Sequence, residues 1–572
     1  MTSTLLLAGI VRFAVPATGE GQVLPDSLPR EAVRDAPCAI VAARGEYEGG
    51  SFVLRADEDL GKVMLEVGDL VKVEKEGGGG ERKVFFPKEE LDLTTVKVWY
   101  QNANAWISYF QDPSLKLCPE LLLHDEDLVK VDTEKKGNWA RVTAKDGSLS
   151  YFWLTAPRGI HQRNPDFNAG RVDDAFLCMQ PGFSDAPAFA GATLEKGKNK
   201  QFMLTAHVGK DAKPGLYTGV IAVRAKDGKV LHEVPVRLRV LDFELPAPKT
   251  YDDVEKDFMT YFCEYVGIDW IRCSNGNDLE LAEHQLEAIV RDFVRHNETT
   301  PSFRESVKYR EMAMKAGMDF SGAYMGSMKL ADNADARYAA RTTARELDRL
   351  FGSHKGMMLS WGDEYGLNTL RGIRDMVEIY HDEGFTFAVN SQSGYVGGAN
   401  LADLWWPPYS PDQRTAPKVR KYNEAAPDGR MGWYASQHVG AENPAFNRRQ
   451  YGMGPYLAGF GCNYNYAHHL QGWNDTEEGL YRPMNFVYGS GNGCIDTLQW
   501  EGFREGIDDI RYATLLKTLA LKQIKEGTTR GRYAGRLALK LLADAKNDGC
   551  DLTTFRYEMI SHIQKLRAFE SR

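Results

Sequence analysis

Between residues 244 and 249 the chain reads "ELPAPK", and the rhythm of the sequence differs on its two sides. Before it, short runs rich in Val, Phe, Tyr and Thr alternate with turn signals: "KVMLEVGDLVKVE", "TTVKVWYQ", "QFMLTAHVG" and "GLYTGVIAVRAKDGKVLHEVPVRLRVLDFEL". Within the last, "AKDGK" reads as a hairpin with a two-residue turn, Asp227-Gly228 supplying the positive φ values that such a turn demands. Val220, Ala222 and Arg224 share one strand face, while Val234, Val236, Leu238 and Val240 alternate on the return strand. Many short strands without helical periodicity predict a β-sandwich. The two prolines of "ELPAPK" make a linker.

Beyond residue 250 strands alternate with helices. Candidate strands are "DFMTYFCE" (257–264), "ETTPSFRE" (298–305), "DFSGAYMG" (319–326), "MMLSWGDE" (357–364), "TFAVNSQ" (386–392), "DLWWPPY" (403–409), "MGWYASQ" (431–437) and "FGCNYNYAH" (460–468). "LAEHQLEAIVRDFVRH" places Leu286, Ile289, Val290, Phe293 and Val294 on one helical stripe. "ADARYAARTTARELDRLFG" ends at a capping glycine, and "NTLRGIRDMVEIYHDEG" starts at Asn368 as N-cap and ends at Gly384. Eight strands with interposed helices in roughly 270 residues is the count of a (β/α)8 TIM barrel. An open doubly wound sheet is the alternative, but no Gly-rich phosphate fingerprint supports it. "LQWEGFREGIDDIRYATLLKTLALKQIKEG" then reads as a long helix, with Arg504 and Asp508 at i,i+4, and a helix pair closes the chain. The expected division is a sandwich over 1–247, a barrel over 248–525 and a helical segment over 526–572 packed on the barrel.

With 572 residues the chain is too long for one ordinary core. A net charge of −9 argues against nucleic acid or an anionic membrane as main partner, and no apolar stretch is long enough for stable membrane insertion. The opening "MTSTLLLAGIVRFAVPATGEG" lacks a basic leader and a small-residue cleavage site, so it reads as a first strand. Location stays open: periplasmic or secreted if a signal peptide once preceded the chain, cytoplasmic otherwise. The eight cysteines form no C-x-x-C pair and no Cys/His zinc spacing, and read as reduced, buried small residues. His438, His468 and His469 have no third ligand at useful spacing, so neither a metal nor another cofactor is expected.

The stretch "LSWGDEYG" sets Asp363 beside Glu364, between Gly362 and Gly366, at the C-terminal end of the fourth barrel strand. That face is where barrel enzymes assemble their chemistry. Strand residues alternate sides, so both acids reach one pocket only if the backbone leaves β geometry, which the glycines permit. Two such carboxylates do not both ionise cheaply: one keeps its proton as a general acid, the other stays charged. The competing reading is an acid pair favoured by a helix dipole ahead of Asn368. Aromatics gather in the last three strand–loop segments: Trp405, Trp406, Tyr409, Trp433, Tyr434, Tyr464, Tyr466 and Trp473. Amides lie among them, at Asn390, Gln392, Gln437, Asn463 and Asn465. Flat rings with polar edges suit the C–H face and hydroxyls of a pyranose, although each ring taken singly is better explained as core.

"AARGEYEGGSFVLRA" (42–56), "AKPGLYTGVIAV" (212–223), "VLDFELP" (240–246), the "GDE" and above all "LQWEGFREGIDDIRYATLL" (498–516) resemble glycoside hydrolase family 123 and the larger group sharing its C-terminal domain. The resemblance runs from about residue 40 to about residue 520 and implies a sandwich before a (β/α)8 barrel. It further implies a retaining exo-β-N-acetylgalactosaminidase acting on a glycan or glycolipid with terminal β-linked N-acetylhexosamine. Glu364 would be general acid/base, and Asp363 would orient the 2-acetamido group, whose carbonyl oxygen attacks C1 to give an oxazoline. No enzyme nucleophile is then needed, so the acids need not stand at the ~5–5.5 Å separation of the usual retaining pair. One departure is "CNYNYAHHLQGW" after the eighth strand, where the resemblance implies a different Trp-containing run. The alternatives are a glycosidase of this fold on a sugar lacking the 2-acetamido group, and a non-catalytic carbohydrate-binding protein.

Overall fold

The computed structural model describes residues 9–75, 80–102, 114–154, 182–248, 259–263, 267–298, 305–318, 325–328, 333–360, 366–390, 401–406, 415–425, 430–435, 443–466, 468, 473, 486–545 and 550–570. Two sheets form the N-terminal sandwich. The first is antiparallel and runs β2 (Val33–Arg34), β1 (Ile10–Val15), β4 (Glu46–Ala56), β14 (Asn199–Val208), β8 (Leu91–Asn102) and β9 (Leu115–Leu123). The second runs β13 (Ala192–Leu194), β5 (Gly61–Val67), β15 (Gly215–Arg224), β16 (Val230–Glu244) and β3 (Cys38–Arg44), with β6 (Leu70–Lys75) and β7 (Glu81–Phe86) on its flank. Alternate residues of both sheets meet in one core, Phe52, Leu54, Phe202 and Leu204 against Ile221, Val223, Val236 and Leu238. β10 (Val129–Asp132), β11 (Gly137–Thr143) and β12 (Leu149–Trp153) make a small separate sheet.

The "AKDGK" hairpin joins β15 to β16, but not by a two-residue turn. Ala225 and Lys229 close it, the N–H of Ala225 donating to Lys229 O at 2.9 Å, and only Gly228 has positive φ (+84°). The register shifts between Val223 and Arg224, so a residue is absorbed in a bulge beside a three-residue loop.

Past the linker, seven parallel strands form a curled half-barrel in the order β17, β23, β22, β21, β20, β19, β18. They are β17 (Met259–Cys263), β18 (Met325–Ser327), β19 (Met358–Ser360), β20 (Thr386–Asn390), β21 (Leu404–Trp406), β22 (Arg430–Ala435) and β23 (Cys462–Tyr466). Among the described residues β17 and β18 do not pair, so the sheet is open there and a closed TIM barrel is not shown. The strand expected over 298–305 falls largely outside the described residues, its ends Glu298 and Glu305 lying in no strand.

Helices cover the strands: α1 (Ile268–Ser274), α2 (Leu279–Arg295), α3 (Val307–Lys315), α4 (Asn333–Phe351), α5 (Leu367–Gly372), α6 (Arg374–Asp382), α7 (Ala416–Ala425), α8 (Pro444–Tyr451) and α9 (Met453–Ala458). The stripe expected on α2 is buried at Leu286, Ile289, Val290 and Phe293. Asn368 is not an N-cap: Gly366 holds that position, and Asn368 sits in the first turn, its Oδ1 accepting from Arg371 at 3.3 Å. The single expected helix is also broken, at Ile373, into α5 and α6.

A hairpin of β24 (Tyr488–Ser490) and β25 (Gly493–Ile495) leads into α10 (Leu498–Glu526), followed by α11 (Thr529–Asp544) and α12 (Leu552–Glu570). Helix α10 is buried on every face through most of its first half, charged residues included. Gly502 and Gly506 allow this. A Cβ on Gly502 would stand 2.3 Å from Pro444 O, and one on Gly506 2.6 Å from Arg448 O, so α8 and α10 approach backbone to side. The other faces meet the sandwich: the Tyr512 hydroxyl donates to Glu46 at 2.7 Å, Arg511 donates to Pro246 O, and Leu122 N donates to Asp496 O just before the helix.

Candidate active site

Along β19 to β23, the described side chains alternate between two environments. Leu359, Phe387, Val389, Trp405, Met431 and Trp433 pack in the core that joins strands to helices. Met358, Ala388, Leu404 and Cys462 are buried yet take no part in that core, which assigns them to the concave interior. Two residues further along their own strands from Met358, Ala388 and Cys462, and so on the same face, stand Ser360, Asn390 and Tyr464. On β19, β20 and β23 the interior face thus carries a polar side chain toward the end where strands give way to loops.

Asp363 and Glu364 lie outside the described residues, as does Gln392. What is described is their frame: β19 ends at Ser360, α5 begins at Leu367, and Asn390 closes β20 two strand positions beyond Ala388. Asn390 is 7% exposed. Tyr464 is 9% exposed and is the register partner of Tyr434 on one side and Tyr261 on the other. For Tyr434 and Tyr466 only the strand positions are described.

Three of the expected sugar platforms are placed elsewhere, Trp405 being fully buried in the core between strands and helices. Trp433 is buried on the helix side, its ring 5.1 Å from that of Tyr451. Trp473 is 1% exposed in the seam between sandwich and half-barrel, its ring 4.9 Å from Phe183 and 4.9 Å from Tyr488, with Nε1–H donating to Gly489 O at 2.8 Å. The amides Asn463 and Asn465 likewise serve the fold. Asn463 donates to Tyr451 O at 2.9 Å and Asn465 accepts the Tyr451 hydroxyl at 2.7 Å, tying β23 to α8. They alternate with Tyr464, and the period of two sent them to the convex side.

A second concentration of chemistry lies where α2, the start of α10 and the sandwich meet, around a cleft of about 730 Å³ lined by Tyr47, Asp92, His124, Arg295, Asp496 and Glu501. His124 stands between Asp92 (2.7 Å from Nε2) and Asp185 (3.1 Å from Nδ1). Burial opposes its charge, but the two carboxylates raise it to about 10. His296 is raised likewise to about 10, against burial, by Asp292 and Asp496. Burial also opposes Glu501, which Arg504 and His296 hold down at about 2. Glu505 is held at about 2, against burial, by Arg556, Arg504 and Arg448. Burial and then Asp292 push Asp496 up to about 7; burial and then Asp508 do the same for Glu46. The sequence reading passed over this cluster, whose signal was Asp292 and His296 set i,i+4 within the buried face of α2.

These shifts dictate a pH profile. Glu505 stabilises the fold fully above its ordinary 4.5 and loses that contribution as pH falls toward about 2. Glu46 opposes folding at neutral pH and is relieved as pH falls through about 7. His124 contributes fully below its ordinary 6.5 and loses that contribution as pH rises through about 10. Thermal stability should therefore peak between about pH 4.5 and 6.5 and fall on either side. A melting temperature still climbing at about pH 8 would contradict this balance.

No family model matches the sequence, and no curated protein matches it. Among solved structures, a family 123 glycoside hydrolase from Clostridium perfringens, described in the context of glycolipid glycan hydrolysis, aligns at 12% identity. The alignment covers 93% of this chain and 94% of that one, with a TM-score of 0.59. At that identity the likeness is one of fold, extending over sandwich, half-barrel and helices together. A β-glucuronidase from Parabacteroides merdae (10% identity, 89% of this chain, 74% of that one, TM-score 0.28) and the agarase AgWH50C (8%, 82%, 94%, 0.29) align too loosely to add to it.

Proposed function

We propose that this protein is a glycoside hydrolase that releases terminal β-linked N-acetylhexosamine, N-acetylgalactosamine foremost, from a glycan or glycolipid. The observation that carries the proposal is the place of the acid pair in the chain. Asp363 and Glu364 follow the C-terminal end of β19, the edge at which the concave face carries the polar side chains of Ser360, Asn390 and Tyr464. The sequence resemblance to family 123 supports it, and so does the fold shared with an enzyme described for glycolipid glycan hydrolysis. In this reading the half-barrel belongs to a (β/α)8 barrel whose second strand comes from 298–305.

The mechanism is substrate-assisted. Glu364 protonates the glycosidic oxygen as it leaves and later deprotonates the incoming water. Asp363 accepts a hydrogen bond from the 2-acetamido N–H and stabilises the positive charge that grows as its carbonyl oxygen closes on C1. Retention follows from two inversions, the first by the substrate's own amide. Asn390, Gln392, Tyr434, Tyr464 and Tyr466 are the groups proposed to flank the sugar.

A panel of aryl β-glycosides with and without a 2-acetamido group, together with a thiazoline that mimics the oxazoline, tests this directly. Turnover confined to the acetamido sugars, with tight thiazoline inhibition, is the expected result. Equal turnover of sugars lacking the acetamido group would assign a different substrate and mechanism. Glu364→Gln separates the roles further. It should lose roughly 10²–10⁴-fold on substrates with poor leaving groups and far less on activated aryl glycosides that need little protonation. Equal losses on both would remove Glu364 from the acid role.

A further inference from the structure

We infer that the cleft between the sandwich and the half-barrel holds a divalent transition-metal site, of the zinc type, with His296 Nε2, Asp496 Oδ1 and Glu501 Oε1 as ligands. These three groups come from the C-cap of α2, from the segment before α10 and from its first turn, and one donor atom of each lies within 4.8 Å of the others. His296 is 2% exposed, and among the described residues its Nε2 meets no hydrogen-bond partner, nor does Asp496 Oδ1. Nε2 lies 3.4 Å from Glu501 Oε1. That is long for a charge-assisted hydrogen bond, which settles at about 2.7–2.9 Å. It matches the edge of a tetrahedron around a cation with bonds of about 2.0–2.2 Å, which comes to roughly 3.4 Å.

The surrounding contacts turn the donors toward one point. Asp292 Oδ1 binds His296 Nδ1 at 2.9 Å, the carboxylate–imidazole contact that presents the far nitrogen to a metal. The other oxygen of Asp292 accepts Trp500 Nε1–H at 3.0 Å, so its orientation is fixed. Asp496 Oδ2 is taken by Arg295 at 3.1 Å and Glu501 Oε2 by Arg504 at 2.6 Å, leaving the opposite oxygens for the cation. Cys494 joins Asp292 and Asp496 within the same 4.8 Å limit and adds a soft donor at the rim, which favours zinc over magnesium. The cluster favours positive charge at Nε2 in either form, as a proton or as a metal ion. Imidazole and two carboxylates leave the fourth position to water or to a ligand entering the cleft.

Zinc titration of the untagged, metal-stripped full chain by calorimetry tests the site without any assay of turnover. One equivalent should bind, and cobalt in its place should give the intense visible absorption of a tetrahedral ion. His296→Gln and Asp496→Asn should each weaken binding by more than about 100-fold, and Asp292→Asn by about 10–100-fold. His124→Gln should bind as the wild type does, because Asp92 and Asp185 already engage both its ring nitrogens. Circular dichroism accompanies each variant; should His296→Gln fail to fold, the isosteric Asp496→Asn and the wild-type cobalt spectrum decide. Absence of stoichiometric uptake by the wild type, a cobalt spectrum of the hydrated octahedral ion alone, or equal uptake by wild type and Asp496→Asn would each overturn the site. None of these outcomes bears on the glycosidase proposal, which stands or falls with the glycoside panel.

Discussion

Replacing Asp363 by Asn should lower kcat on an aryl β-N-acetylgalactosaminide by roughly 10²–10³-fold, with a much smaller change in KM. The size is that of removing one preorganised electrostatic partner. The split between kcat and KM follows because the positive charge on the acetamido group develops only as the oxazoline forms. A ground-state hydrogen bond to the N–H survives in part with Asn, whereas the ionic stabilisation of the transition state does not. Two further readouts separate this mechanism from the two-carboxylate one. No covalent glycosyl-enzyme should be trapped by 2-fluoro sugars, and a thiazoline should bind wild type more tightly than the variant. An adduct on any carboxylate would leave a conventional retaining glycosidase.

The largest expected effect on stability lies away from the acid pair, at Arg504. Its guanidinium is 1% exposed and binds Glu501 at 2.6 Å, Glu505 at 3.1 Å and Asp508 at 3.4 Å. It also donates to Tyr47 O of the sandwich. Arg504→Met would keep the apolar stem and leave three buried carboxylates with less positive charge to face. A cost of about 3–5 kcal/mol is expected, because the loss is that of an uncompensated buried charge rather than the net worth of the pair. Arg504→Lys should recover only part of it, since an ammonium does not reach three partners in a planar fork. Chemical denaturation followed by the fluorescence of Trp500, buried beside this network, measures both. A change below about 1 kcal/mol for Arg504→Met would show that Arg448 and Arg556 carry the network without it.

The buried charges explain why "LQWEGFREGIDDIRYATLL" was legible as a segment and illegible as a role. Glu501, Arg504, Asp508 and Arg511 follow one another at three- and four-residue steps, a spacing that reads as salt bridges on a solvated helix. In the fold the same ladder faces the sandwich, the half-barrel and α12 at once, where Arg556 reaches Glu505 at 2.7 Å and Asp509 at 2.6 Å. Spacing along a helix reports which side chains are neighbours. It does not report what covers them.

The aromatic cluster shows the same limit from the other direction. Trp433, Tyr464 and Trp473 all fall in the last strand–loop segments of the sequence, yet each has a different setting. Trp433 falls on the helix side of its strand by alternation, Tyr464 belongs to the concave register, and Trp473 lies in the seam with Trp99 and Phe183. Parity within a strand decides the first two and was available from the residues. The third depended on how the chain beyond β23 returns to meet the sandwich, which no local pattern encodes.

The residues by themselves determined the change from short alternating strands to strand–helix repeats at "ELPAPK", the apolar stripes of the helices, and the pairing of Asp363 with Glu364. Those are properties of neighbours within a few positions, and backbone periodicity converts them directly into faces and ends. Only the tertiary structure decided that β17 lies beside β23, that the first half of α10 is enclosed on all sides, and that His296, Asp496 and Glu501 share one corner of a cleft. Such contacts join groups some two hundred residues apart, and their free energy comes from burying both partners together. It therefore exists in the packed molecule and in no segment of the chain.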